Sequence, residues 1–231
     1  MTSDAEPTTT AAPDVEAKPA APAQQAPPVA PPAVSGTVIG NPGPLGLSAF
    51  ALTTFVLSLH NAGAGRPADS PNNVVVGLAF FYGGVVQVLA GMWEFATGNT
   101  FGATAFSSYG GFWLSYALIF IPGAGITAAY EGVDAHLLKH SLGIYLIAWA
   151  IMTLILLVAS HRASVGMVSL FFFLFLTFVL LAAAEFNSSI TTQRAGGAFG
   201  VITALIAWYI ALSGLLTKES SYFRLPVIPL P

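Results

Sequence analysis

The chain reads as an all-α integral membrane protein of six transmembrane helices, built from repeated two-helix hairpins, and three observations point there. Hydrophobic residues make up 55% of the chain and charged residues 7%, where a soluble domain carries about 25% charged. Six apolar stretches approach the roughly 20 residues that take a helix across a bilayer. Two of those stretches open on irregular segments that resemble each other. Gly40-Asn41-Pro42-Gly43-Pro44-Leu45-Gly46-Leu47-Ser48-Ala49-Phe50 leads into the first, and Gly98-Asn99-Thr100-Phe101-Gly102-Ala103-Thr104-Ala105-Phe106 leads into the third. Both start Gly-Asn, and both set a Gly four residues before a Phe in a Gly-x-Ser/Thr-Ala-Phe unit. That spacing implies a two-helix unit repeated along the chain.

Taken in order, residues 1–40 form a polar, Pro/Ala-rich head. It lacks the apolar surface to offset its ordering entropy, so disorder is expected there. It carries Asp4, Glu6, Asp14, Glu16 and Lys18 without an apolar h-region, so it does not read as a signal peptide. A membrane domain follows over residues 41–217, and a short tail over 218–231. The expected spans are Leu45 to Ala62, Val74 to Phe95, Gly102 to Ile121, Leu142 to Ala159, Val165 to Ala184 and Gly196 to Leu216. Breakers separate them: Gly63 to Pro67 with Pro71, Gly98-Asn99, Pro122 to Gly125, Ser160-His161-Arg162, and Asn187 through Arg194. With the head in the cytoplasm, the inner side holds Lys18, Arg162, Lys218 and Arg224, and the outer side holds Arg66, Lys139 and Arg194. The positive-inside rule therefore leans to cytoplasmic termini by four to three. Asn187-Ser188-Ser189 is a glycosylation sequon on the outer loop, expected to be unused because it lies so near the membrane.

The net charge of −3 and the weakly acidic head give no reason to expect nucleic acid or anionic lipid as partner. The chain has no Cys, which excludes disulfides, thiolate chemistry and Cys-ligated metal. No His-Glu-x-x-His or Gly-x-Ser-x-Gly pattern is present, so an enzyme is not expected, nor any cofactor or metal.

In lipid, close helix association depends on small residues. The second span carries Gly77, Gly84 and Gly91 at seven-residue intervals, with Gly83, Gln87 and Glu94 beside them. Gln87 and Glu94 lie two turns apart on one face, about 10 Å of rise. A helix with a glycine seam and a polar ladder belongs inside protein. The sixth span has Gly196-x-x-x-Gly200, a close-packing spacing, and the fifth has the bulky run Phe171-Phe172-Phe173-Leu174-Phe175-Leu176. Gly166-Met167-Val168-Ser169-Leu170 is at best a remnant of a third copy of the repeated start.

Paired Gly/Pro-interrupted helix starts in corresponding repeats point to a transport site, because free backbone N–H groups and the positive helix end hold an anion at membrane depth. Pro42 and Pro44 put the first helix start here. Asn41-Pro42-Gly43-Pro44 is therefore either a plain cap or half of a carboxylate site. Glu94 is either an interfacial carboxyl or one that carries or senses a proton. Glu185 reads as interfacial, and His60 as a structural histidine or a relay. Tyr109-Gly110-Gly111-Phe112-Trp113, with Ser107, Ser108 and Ser115, can build a narrow polar passage or an ordinary packed seam.

The first motif, the Phe81-Tyr82-Gly83-Gly84 run with Gln87 and Glu94, and the segment from Gly98 to Gly110 together resemble the acetate uptake transporter family of bacterial succinate-acetate permeases and fungal acetate and ammonia-export proteins. The likeness runs from about Gly40 to Leu216. One departure is Gly43, where the family's motif has Ala. The resemblance implies a six-helix protomer in a homohexamer, with one pathway per protomer for acetate and, in some members, succinate. It implies a constriction at Phe50, Tyr109 and Leu176, and polar path positions at Asn41, Thr53, Gln87, Glu94 and Asn99.

The expected function is transport of acetate and related small carboxylates across the plasma membrane, by proton symport or as an anion channel, with Glu94 as the proton-coupling candidate. Two rivals stay open: a channel for small neutral solutes such as ammonia or urea, and a membrane scaffold without flux.

Overall fold

The computed structural model describes residues 39–231; the head expected over 1–40 lies, apart from its last two residues, outside the described residues. Six helices of 20 residues or more stand among those described. Helix α1 spans Gly43–Ala62, opening at the Pro42-Gly43-Pro44 turn and closing on Gly63, whose φ of 75° lets its N–H reach the carbonyl of His60. Helix α2 spans Val75–Ala96 and widens into a π turn over Phe81–Val86. Helix α3, Thr100–Phe120, is capped by Asn99, whose side chain accepts from the N–H of Gly102. Helices α4 (Ala135–Ala159), α5 (Val165–Asn187) and α6 (Ile190–Leu215) are capped in the same way by Asp134, Ser164 and Ser189.

Five of the six are both long and apolar enough to cross a membrane. The exception is α3, which has the length and no charge but is diluted by serines, glycines and tyrosines. About half of it is buried against its neighbours, and a helix enclosed by protein need not be apolar against lipid.

Two boundaries differ from expectation. Helix α4 begins seven residues before Leu142, because Asp134 caps the backbone N–H of His136 at 2.9 Å and the polar turns that follow continue the helix. The break expected from Asn187 through Arg194 shrinks to Ser188, at φ 48°, and Ser189. Arg194 thus sits in α6, where its Nε donates to Ala62 O at 3.3 Å, and Gln193 Nε2 donates to Ala68 O at 2.9 Å. Asn187 of the sequon closes the last turn of α5, donating to Ala183 O.

The helices form a ring. Helix α3 packs on α2, α2 on α1, α1 on α6, α6 on α5 and α5 on α4, while the α4 and α3 backbones barely approach each other. Large side chains close that last seam: Phe112 lies 5.9 Å from Tyr145 and 5.2 Å from Trp149, and Tyr145 OH meets Ser115 Oγ at 2.8 Å. The α1–α2 and α5–α6 hairpins are therefore closely packed and the α3–α4 hairpin is splayed. Because the chain direction alternates, α1, α3 and α5 all begin at one end, the Asn41 end; the other is the Lys139 end. At the Asn41 end the tail folds back, Ile228 O accepting from the N–H of Val165 and Pro226 O from Tyr209 OH.

The glycines of α2 divide across the π turn. Gly84 and Gly91 face α3, where a Cβ on Gly84 would come within 2.7 Å of Leu114, whereas Gly77 has nothing within 4 Å. A π turn inserts one residue into the helical register, so positions seven apart on its two sides no longer share a face. Gly83 meets α1 instead, 2.7 Å from Thr53 Oγ1 at its missing Cβ.

Candidate functional site

Two cavities lie inside the ring, one on each side of an aromatic partition. The larger, about 480 Å³, opens toward the Lys139 end; Thr54, Asn61, Trp113, Lys139, Leu174 and Glu185 are among its walls. The smaller holds about 30 Å³, room for a single water, and is lined by Leu47, Gln87, Gly102, Phe106, Met167 and Leu170 among others. Phe50 faces both. Its ring centroid lies 5.5 Å from that of Tyr109, which lies 6.3 Å from that of Phe171.

The partition is held rigidly. Tyr109 is 3% exposed, and its hydroxyl meets Thr153 Oγ1 at 2.9 Å. Thr153 donates its own proton to Trp149 O at 2.7 Å, so the shared bond to Tyr109 is donated by the tyrosine. The ring is thereby pinned to α4, across the seam that the backbones leave open.

The lining of the small cavity follows the repeat. In the unit that starts at Gly46, Leu47 and Phe50 face it; in the unit at Gly102, Gly102 itself and Phe106; in the unit at Gly166, Met167 and Leu170. The Gly166 segment, a remnant by sequence, holds the corresponding place in space. The smallness of Gly46 lets α3 come close, since a Cβ there would sit 2.6 Å from the Phe106 ring.

Next to this cavity the two Gly-Asn starts converge on Glu94, which is 4% exposed. Asn99 Nδ2 donates to Glu94 Oε2 at 2.7 Å while Asn99 Oδ1 accepts from Gly102 N–H at 3.0 Å. One amide therefore caps α3 and holds the carboxylate. From α1, Asn41 Oδ1 accepts from Gly43 N–H at 3.0 Å, and a Cβ on Gly43 would lie 3.5 Å from Glu94 Oε1. The positive ends of α1, α3 and α5 all lie at this end of the ring.

Gln87 begins the α-helical turn after the π segment and is 1% exposed. Neither its amide oxygen nor its nitrogen has a hydrogen-bond partner among the described residues. Leaving such a group unsatisfied costs about 1–3 kcal/mol, and both atoms are closed off from the cavity surface.

The structure thus brings together Phe50, Tyr109 and Gln87 at the cavities and Glu94 with Asn99 beside them, with Asn41 exposed at the mouth. Two residues sit elsewhere. Leu176 lines neither cavity; from α5 it is Phe171 toward one and Leu174 toward the other that do. Two residues along a helix is about 200° of rotation, which turns Leu176 away from the face of Leu174. Thr53 likewise lines neither; its hydroxyl donates to Ala49 O at 2.9 Å and it fills the Gly83 contact. Its neighbour Thr54 faces the large cavity, as does Trp113. The sequence signal for these was helical phase, measured from Phe50 on α1 and from Tyr109 on α3.

The model of the GPR1/FUN34/yaaH family matches residues 23–231. The chain belongs to the GPR1/FUN34/yaaH family. Among its relatives, acetate permease A of Emericella nidulans is 47% identical over 86% of this chain and 69% of that protein. The succinate-acetate/proton symporter SatP of Escherichia coli is 33% identical over 84% of this chain and 98% of that one. A solved structure of the bacterial acetate channel SatP superposes with a TM-score of 0.71 at 32% identity, covering 82% of this chain and 99% of that one. The chain spans about two thirds of the length of the fungal relatives it matches.

Proposed function

We propose that this protein carries acetate and related small carboxylates across the plasma membrane through the axis of its six-helix ring. The observation that carries this reading is that these features adjoin one another within the ring: a wide cavity, the Phe50–Tyr109–Phe171 partition, a small cavity beside Gln87, and Glu94 bonded to Asn99 with the α1 start next to it. The partition would select by size, and the helix starts would favour the carboxylate. The names of the fungal permease and of the bacterial symporter and channel support acetate as cargo.

In this reading all six helices span the bilayer, α3 sheltered by its neighbours, and both termini face the cytoplasm. Phe50, Tyr109 and, from α5, Phe171 with Leu174 form the gate; Gln87, Glu94, Asn99 and Asn41 mark the polar route to the Asn41 end. The protein would work as a homohexamer with one path per protomer. Glu94 is the group we assign to proton coupling, which makes Glu94→Gln the informative variant: acetate uptake should lose its dependence on pH while assembly survives. Unchanged pH dependence in a folded variant would remove Glu94 from that role.

Competition tests the cargo. With purified full-length protein in liposomes, unlabelled acetate should block labelled acetate uptake, and ammonia and urea should leave it unchanged. Flux of ammonia or urea without acetate flux would favour a neutral-solute channel, and no flux of any of them a scaffold.

A further inference from the structure

The start of α5 is fastened by the tail. Val165 N–H donates to Ile228 O at 2.9 Å, and Ser164 pairs with Pro229 in an antiparallel bridge. Among the described residues this is the only backbone–backbone hydrogen bond that joins segments distant in sequence. Two side chains add to it: Tyr209 of α6 donates its hydroxyl to Pro226 O at 2.8 Å, and Arg162 Nε donates to Pro231 O at 3.2 Å. The composition of the tail suits this use. Pro226, Pro229 and Pro231 have no N–H and bias Leu225, Ile228 and Leu230 to extended backbone. The segment therefore offers acceptors, which the first N–H groups of a helix need. Val227 and Ile228 are 46% and 61% exposed, so backbone bonds, more than burial of those side chains, hold the segment.

What the tail fastens borders the small cavity. Met167, Leu170 and Phe171, from the first two turns of α5, line it, and Phe171 stacks on Tyr109 in the partition. The α5 start also lies close on α6, since a Cβ on Gly166 would sit 3.2 Å from Ile210, the neighbour of Tyr209. The α1 and α3 starts carry Asn41 and Asn99 on their first N–H groups; the α5 start, without an Asn, has Ser164 and the tail. We propose that residues 226–229 are a strap that fixes the α5 start against α6 and thereby sets the size limit of the path. The proposal rests on the transport reading above. It adds positioning residues to it: Val165, Tyr209 and the strap carbonyls hold Met167, Leu170 and Phe171 where they line the cavity.

Val165→Pro in the full-length protein is the test. Proline is favoured at the first position of a helix, and Ser164 before it is already extended, at φ −158° and ψ 159°. The substitution thus removes the strap's donor and keeps the helix. Val165→Ala keeps the N–H and serves as the control. Hydrogen exchange in detergent, read by mass spectrometry over residues 166–171, should run about tenfold faster in the proline variant than in the alanine variant. In liposomes the ratio of labelled butyrate to acetate uptake should rise about threefold in Val165→Pro and keep its wild-type value in Val165→Ala. If Val165→Pro does not fold, Tyr209→Phe, which removes the fastening on α6, takes its place and is judged against the wild type by the same two readouts. With flux in the wild type, an exchange rate or an uptake ratio equal in the variant and its control overturns the strap and leaves transport standing. An exchange difference with no flux in the wild type keeps the strap's hold on α5 and removes the transport reading.

Discussion

At the scale of single residues, Tyr109 shows how the aromatic partition is positioned. Its hydroxyl bonds Thr153 on α4, where the backbones of α3 and α4 scarcely meet. Tyr109→Phe keeps the ring and loses one buried hydrogen bond, so we expect a loss of about 1 kcal/mol in stability, seen as a lower midpoint of thermal unfolding in detergent. Acetate should still pass, with larger acids less well excluded. Phe50 is the residue that faces both cavities. Phe50→Leu removes part of the partition, and the largest carboxylate taken up should shift from acetate toward butyrate; an unchanged size limit in uptake assays would place the filter elsewhere. At this scale Phe50, Tyr109 and Gln87, which line the cavities, and Glu94 with Asn99, which bond each other, lie near sharp Gly-Asn or Gly-Gly signals that fix the register. Leu176 and Thr53 line neither cavity; both were placed by helical phase, where a shift of one or two residues changes the face without changing the composition.

At the scale of elements, the second Gly-Asn start places a carboxylate, and the first lies beside it. Asn99 caps α3 and binds Glu94 with the two ends of one amide. Asn99→Ala should cost about 1 kcal/mol through the cap alone and leave Glu94 with one fewer partner. A thermal shift larger than that of an ordinary cap loss, together with an altered pH profile of uptake, is the expected pair of results. The π turn of α2 is the second device. It lets Gly83 meet α1 while Gly84 meets α3, and it delivers Gln87 to the small cavity. Gly83→Val would drive a side chain into Thr53, so we expect loss of the folded protein, read as aggregation on size-exclusion chromatography. Five of the long helices were legible from hydropathy, because lipid demands long apolar runs, and α3 from its length, its lack of charge and its Gly-Asn start. The π turn was not, since the stripe of Gly77, Gly84 and Gly91 suggests one continuous face. Nor was the splayed α3–α4 hairpin, whose contacts are made by side chains of residues far apart in sequence.

At the scale of the whole molecule, a ring of three hairpins brings three helix starts to one end and leaves an axis that is neither open nor filled. Phe50, Phe106 and Leu170 come from corresponding positions of the three units and, with Leu47, Gly102 and Met167, line the small cavity. The third unit lacks the Gly-Asn signature but lines the same cavity, which is why sequence alone suggested two copies. In the proposed function acetate passes through this ring and is sized at Phe50 and Tyr109. Its most direct test is labelled uptake of formate, acetate, propionate and butyrate into liposomes holding the full-length protein, wild type beside Phe50→Leu. Uptake should fall as the acid lengthens in the wild type, and the size limit should move upward in the variant. Equal uptake of all four acids by both proteins, or uptake of none, would contradict it.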